Sequence, residues 1–140
     1  MSAKDTIRVL VSWECNLKCS YCCNRQERFQ KEIFPIPFKT LVGLRILSRP
    51  EYKTVCITGG EPLMFPERVR DLCALAQKDR LIVLYTNGLG LNRGMAHNLK
   101  SWGIGAVNVG LHGEAGYANV PFVSCVLGGL IPVRFHANEA

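Results

Sequence analysis

The stretch Cys15-Asn16-Leu17-Lys18-Cys19-Ser20-Tyr21-Cys22 sets three cysteines in the spacing C-x3-C-x2-C. It follows closely on the apolar run Ile7-Arg8-Val9-Leu10-Val11. Three thiolates this close can wrap one side of a metal centre, and a soft sulfur set points to an iron–sulfur cluster or to zinc. Both normally take a fourth ligand, and none follows at a spacing typical of ferredoxins or zinc ribbons. Three protein ligands with an open position describe a catalytic site, because the vacancy can take a substrate. A structural zinc site and reduced thiols without a role are the alternatives. Cys23, next to a candidate ligand, is either a spare thiol or a fourth ligand that would close the site.

Working outward, residues 6–12 read as a short buried strand ended by the cysteine loop. A charged, Pro-containing connection over 25–37 leads to a helical face of Phe38, Leu41, Val42, Leu44 and Leu47, which should stop before Pro50. Thr54-Val55-Cys56-Ile57-Thr58 is a second strand, running into Gly59-Gly60-Glu61-Pro62. Pro66 can open the next helix, in which Val69, Leu72, Cys73 and Ala76 share one face. Residues 81–85 form a third strand, ending in Thr86-Asn87-Gly88. Asn92 can cap a helix carrying Met95, Leu99 and Trp102, closed by Gly103. Residues 106–111 form a fourth strand, ending at His112-Gly113. A glycine-rich stretch with a short helix near 123–127 leads to a fifth strand over 131–135.

Alternating strands and helices predict βαβ units and an α/β fold with a parallel sheet. Ligands of such folds gather at the carboxyl ends of the strands. The cysteines and the segments 59–62, 86–88 and 110–113 all fall just after predicted strands.

With these motifs in place, the chain resembles the radical S-adenosylmethionine (SAM) superfamily. The match rests on C-N-L-K-C-S-Y-C, including the aromatic Tyr21, and on G-G-E-P at 59–62. It runs from the start of the chain to about residue 112 and more loosely to the end. The resemblance implies a partial (βα) barrel of about five units in one core domain, 1–140. It implies that Cys15, Cys19 and Cys22 hold a [4Fe-4S] cluster whose fourth iron is chelated by SAM. The segment around Tyr21 would lie against the adenine. Gly59, Gly60, Glu61 and Pro62 would bind the methionine amino group. Thr86 and Asn87 would sit near the SAM carboxylate or ribose, and Arg134 would face the carboxylate. At 110–113, many relatives carry a serine and an aspartate where this chain has Gly110 and His112; His112 becomes a candidate proton donor or substrate contact. The implied chemistry is reductive cleavage of SAM to a 5′-deoxyadenosyl radical, which abstracts a hydrogen from substrate.

Composition sets the outer bounds. An apolar fraction of 48% over 140 residues is enough for one domain with a core. No apolar run spans a bilayer and no secretory leader is visible, so cytoplasmic residence and no membrane partner are expected. Seven cysteines, an odd and clustered set, fit a reducing compartment better than a disulfide framework. The net charge is +6, with seven Lys or Arg against three Glu between Arg25 and Lys53. This is either a solvated basic face or an attraction for an anionic partner such as a nucleotide, RNA or acidic peptide.

The family's core has six βα units, and this chain is expected to stop after its fifth strand. Dimerisation, a large covering substrate, or a minimal enzyme with a wide mouth would each accommodate the gap. Expected partners are SAM, an external flavodoxin- or ferredoxin-like one-electron reductant, and an unidentified substrate. Peptide or small-molecule modification ranks first. A glycyl-radical-enzyme activase, a nucleotide-modifying enzyme, a non-catalytic cluster- or SAM-binding accessory protein, and a structural zinc protein are the alternatives. His136 is a further candidate on the rim; Cys56, Cys73 and Cys125 are expected in the core.

Overall fold

Strands too short and apolar to stand alone need neighbours on both edges and helices over them. The computed structural model, which describes residues 5–11, 51–76, 80–111 and 113–137, meets that need with one sheet. Its strands are β1 (Thr6–Leu10), β2 (Thr54–Thr58), β3 (Leu81–Thr86), β4 (Ala106–Leu111) and β5 (Val133–Ala137). They lie in the order β1-β2-β3-β4-β5, each parallel to the next. A doubly wound sheet reverses its strand order at a switch point. This one never reverses, so each unit adds the next stave of a barrel wall. The fold is α/β, a partial barrel of five parallel strands.

Helix α1 (Pro66–Ala76) links β2 to β3, and α2 (Arg93–Trp102) links β3 to β4. Two short helices, α3 (Gly113–Ala118) and α4 (Val120–Leu127), link β4 to β5. Alternate strand residues serve opposite faces. Val55, Ile57, Ile82, Leu84, Val107 and Val109 turn toward the helices and form the core with Val69, Leu72, Ala96, Leu99 and Leu127. Full burial of each such aliphatic side chain stabilises by roughly 1.5–3 kcal/mol. The opposite, inner face carries Arg8, Cys56 and Val83 in one register row, and Tyr85, Asn108 and Arg134 in the next.

The helix boundaries follow local chemistry. Pro66 begins α1, which buries Val69, Leu72, Cys73 and Ala76 as the spacing predicts. Asn92 Oδ1 accepts a hydrogen bond from the Met95 N–H at 2.8 Å, capping α2. Gly103 ends it at φ 96°, a left-handed conformation that glycine adopts without strain. β5 begins two residues later than predicted. Ile131 is spent closing α4, its N–H bonding the Leu127 carbonyl at 3.2 Å, and Pro132 has no N–H to give a ladder. Cys125 is exposed rather than in the core, because α4 buries Val123, Val126 and Leu127 instead. The predicted helix over 38–47 lies outside the described residues. Among the described residues no helix is long and apolar enough to cross a membrane.

Candidate active site

The site is built at the carboxyl ends of β1, β2 and β3. β2 runs into Gly59, at φ 127°, a value that suits only glycine. The chain turns back under Glu61, whose extended backbone caps the single 3₁₀ turn Pro62–Met64. Glu61 is 2% exposed, and every bond its carboxylate makes is internal to the fold. Oε2 accepts from the Leu63 N–H at 2.9 Å and from the Thr86 hydroxyl at 2.6 Å. Oε1 accepts from the Asn87 N–H at 2.7 Å. One buried side chain therefore ties the end of β2 to the end of β3. Burial pushes the Glu61 carboxyl above its usual range, opposed by the three bonds from Thr86, Asn87 and Leu63.

Thr86 is spent in the same node. Its hydroxyl donates to Glu61 and accepts from the Gly88 N–H at 3.1 Å. Asn87 Oδ1 accepts from the Leu89 N–H at 3.0 Å, an Asx turn that shapes the loop. Gly88 has φ 81°, and a Cβ there would lie 3.0 Å from Val109 Cγ1, so the loop packs tightly on β4. The polar side chains that the sequence marked here thus hold the loops in place, and the backbone of Gly59 and Gly60 is half-exposed beside them.

Two residues that the sequence did not flag complete the frame. Val11 is fully buried at the exit of β1; its N–H donates to the Thr58 carbonyl at 2.9 Å. Its own carbonyl accepts from Arg68 Nη1 at 2.6 Å, and the Arg68 guanidinium stacks over Phe65, 4.8 Å from the ring centroid. Arg68 so fixes the chain four residues before Cys15. No periodicity could have marked it, since it lies off the apolar face of α1. Asn119 is the second: its Nδ2 donates to the Gly88 carbonyl at 3.1 Å.

On the inner face, Arg134 pairs in register with Asn108, below the strand ends, and is exposed. Arg8 stacks over the Tyr85 ring at 5.6 Å. His136 Nδ1 lies 2.8 Å from Asn108 Oδ1. Asn108 carried a signal in the sequence, a lone amide inside an apolar strand. Cys56 lies under this wall; burial pushes its thiol up, against the Arg8 charge and a Tyr85 hydrogen bond. Cys73, in the core, is pushed up to about 12. Both are poor nucleophiles, as core cysteines should be. Cys15, Cys19, Cys22, Tyr21 and His112 lie outside the described residues.

Comparison with known proteins decides the family. A sequence model of the Radical SAM superfamily matches residues 10–114. The chain belongs to the radical SAM superfamily. The "GTP 3',8-cyclase" of Helicobacter pylori (strain J99 / ATCC 700824) is 38% identical over 113 residues, covering 76% of this chain and 34% of that protein. The "7-carboxy-7-deazaguanine synthase" of Methanothermobacter thermautotrophicus is 36% identical over 76 residues, 53% of this chain and 30% of that protein. The crystal structure of BtrN in complex with AdoMet and 2-DOIA superimposes with a TM-score of 0.73 at 22% identity, over 96% of this chain and 58% of that one. That likeness concerns the fold. The chain spans about a third of the length of the sequence relatives it matches.

Radical SAM enzymes use a [4Fe-4S] cluster and SAM. The residues here fit both groups. Three soft thiolates are a donor set for iron–sulfide. The glycines that follow β2 carry no side chain to keep a ligand away from the backbone.

Proposed function

We propose that this chain forms the SAM-cleaving core of a radical enzyme acting on a nucleotide. The observation that carries the reading is the Glu61 node, which locks the G-G-E-P turn to the Thr86-Asn87 turn and fixes the rim on which SAM would lie. Cys15, Cys19 and Cys22 would hold the cluster, with Tyr21 along the adenine. Held by those thiolates, the cluster would supply one-electron reduction of SAM.

This chain's own residues position and shield. Gly59 and Gly60 offer backbone groups to the methionine end. Glu61, Thr86 and Asn87 act through the backbone they hold, since their polar atoms are engaged within the fold. Arg68 anchors the entry to the cysteine loop.

The substrate class follows from the inner wall. Arg8 and Arg134 stand on one face, and the strand residues of that face include no Asp or Glu among those described. Two guanidiniums without a carboxylate favour a phosphorylated substrate. The printed names of the sequence relatives point the same way, toward guanine nucleotides and their derivatives. Peptide modification loses its first rank on these grounds. His112 keeps its place as a candidate substrate contact.

The test is anaerobic reconstitution with iron and sulfide, then SAM, dithionite and GTP, with 5′-deoxyadenosine quantified. Product that disappears in Cys19→Ala and rises with GTP is the expected result. A cluster that forms without product, with or without GTP, would sink the enzyme reading in favour of a binding protein. Zinc in place of iron would sink the cluster assignment itself.

A further inference from the structure

We propose that His136, held by Asn108, is a substrate-contacting acid–base residue that takes an N–H or O–H group of the substrate through Nε2. The inference deepens the nucleotide reading above and rests on it. His136 lies opposite Gly110 in the β4–β5 register, on the inner face shared with Asn108 and Arg134. Its pair partner has no side chain, so nothing from that position of β4 covers the imidazole.

The ring's orientation is determined by chemistry. The carboxamide oxygen of Asn108 can only accept, so at 2.8 Å the Nδ1 of His136 must donate. In the neutral ring the lone pair then sits on Nε2. Nε2 meets no partner among the described residues, and the side chain is half-exposed. Asn108 is itself held mid-strand, in register between Tyr85 on β3 and Arg134 on β5. A ring on a strand, with one nitrogen tied and the other free, is preorganised in a way a surface histidine is not. Exposed His97 on α2 has no such partner.

Among the described residues, the other titratable or charged groups on this face are Arg8 from β1, Cys56 from β2, Tyr85 from β3 and Arg134 from β5. The two arginines carry only donors, and the Nε2 of His136 adds an acceptor nitrogen to this face. In the step proposed, a substrate N–H or O–H bond breaks and an Nε2–H bond forms. The electron pair stays on the substrate, and the resulting imidazolium keeps its Nδ1–H on Asn108.

The experiment uses the reconstituted protein with GTP as the probe. Equilibrium binding of GTP is measured for the wild type, His136→Ala, His136→Gln and Asn108→Asp, alongside the pH profile of GTP-dependent 5′-deoxyadenosine formation. His136→Ala should weaken GTP binding about tenfold, the scale of one lost hydrogen bond, with the urea midpoint unchanged. The wild-type profile should show a pH-dependent limb that requires His136. That limb should vanish in His136→Gln and move to higher pH in Asn108→Asp, where a carboxylate favours the imidazolium. A merely structural role would move neither. GTP binding and a pH limb that survive His136→Ala overturn the assignment. No GTP binding to the wild type overturns this inference and the nucleotide reading together. GTP binding without 5′-deoxyadenosine from the wild type overturns the radical chemistry and, with it, the acid–base role, leaving the contact to be judged by binding.

Discussion

The ends of β2 and β3 and the inner wall of β4 and β5 are both polar, yet they use polarity in opposite ways. At the Glu61 node each hydrogen-bonding group is buried and answered within the chain. On the wall, Arg134 is exposed with no partner among the described residues, and His136 spends one nitrogen and keeps the other. The node spends most of its hydrogen-bonding capacity on holding backbone within the chain. The wall has little to hold and much to offer. Rigid frame and open contacts are divided between neighbouring strands, as a site must do if it is to bind without losing shape.

This contrast can be broken by substitution. Glu61→Ala strands three buried donors and should cost about 3 kcal/mol or more in urea unfolding. A loss under about 1 kcal/mol would show that the node is not the frame described. Arg68→Ala removes a charged donor from the Val11 carbonyl and the stack on Phe65, and should cost about 2 kcal/mol. It should also lower the iron content of the reconstituted protein, read by iron analysis. Thr86→Val takes away one donor and one acceptor while keeping shape, for about 1 kcal/mol or slightly more.

A pH series sharpens the same comparison. The Glu61 carboxyl is raised in the folded state, so the native chain binds its proton more tightly than the unfolded chain does. The stabilisation this gives is complete below the ordinary value of 4.5 and is lost as pH rises from there through the raised folded value. Urea midpoints of the wild type should therefore fall relative to Glu61→Gln across that window. A difference that is flat with pH would remove Glu61 as the cause. The smallest effect belongs to the wall: Arg134→Ala should change stability by less than about 0.5 kcal/mol, while weakening GTP binding. A large stability loss there would erase the distinction between frame and wall.

Much of the fold was legible because its signals are local. The apolar runs at 54–58, 81–85 and 106–111 recur as strands, and Pro66, Asn92 and Gly103 mark helix ends through backbone chemistry that needs no neighbour. α3 was missed, since Gly113-Glu114-Ala115-Gly116 has weak helix propensity. Its packing on β4 stabilises it: a Cβ on Gly116 would lie 3.3 Å from the Leu111 backbone. The late start of β5 was missed because the competition between closing α4 and joining the sheet is settled by which partner lies in reach.

The candidate site divides along the same line. The sequence by itself marked Gly59–Pro62, Thr86, Asn87 and Arg134, because glycine turns and polar residues after strands are visible one-dimensionally. It also determined the family, through motif residues whose spacing is local. Only the tertiary structure decided what those side chains do. Glu61, the residue best suited on paper to face an ammonium, is occupied by Leu63, Thr86 and Asn87 from up to 26 residues away. Arg68 reaches Val11 across 57 residues, and Asn108 reaches His136 across 28. Hydrogen bonds act over about 3 Å of space, and nothing in the order of residues says which distant groups will come that close.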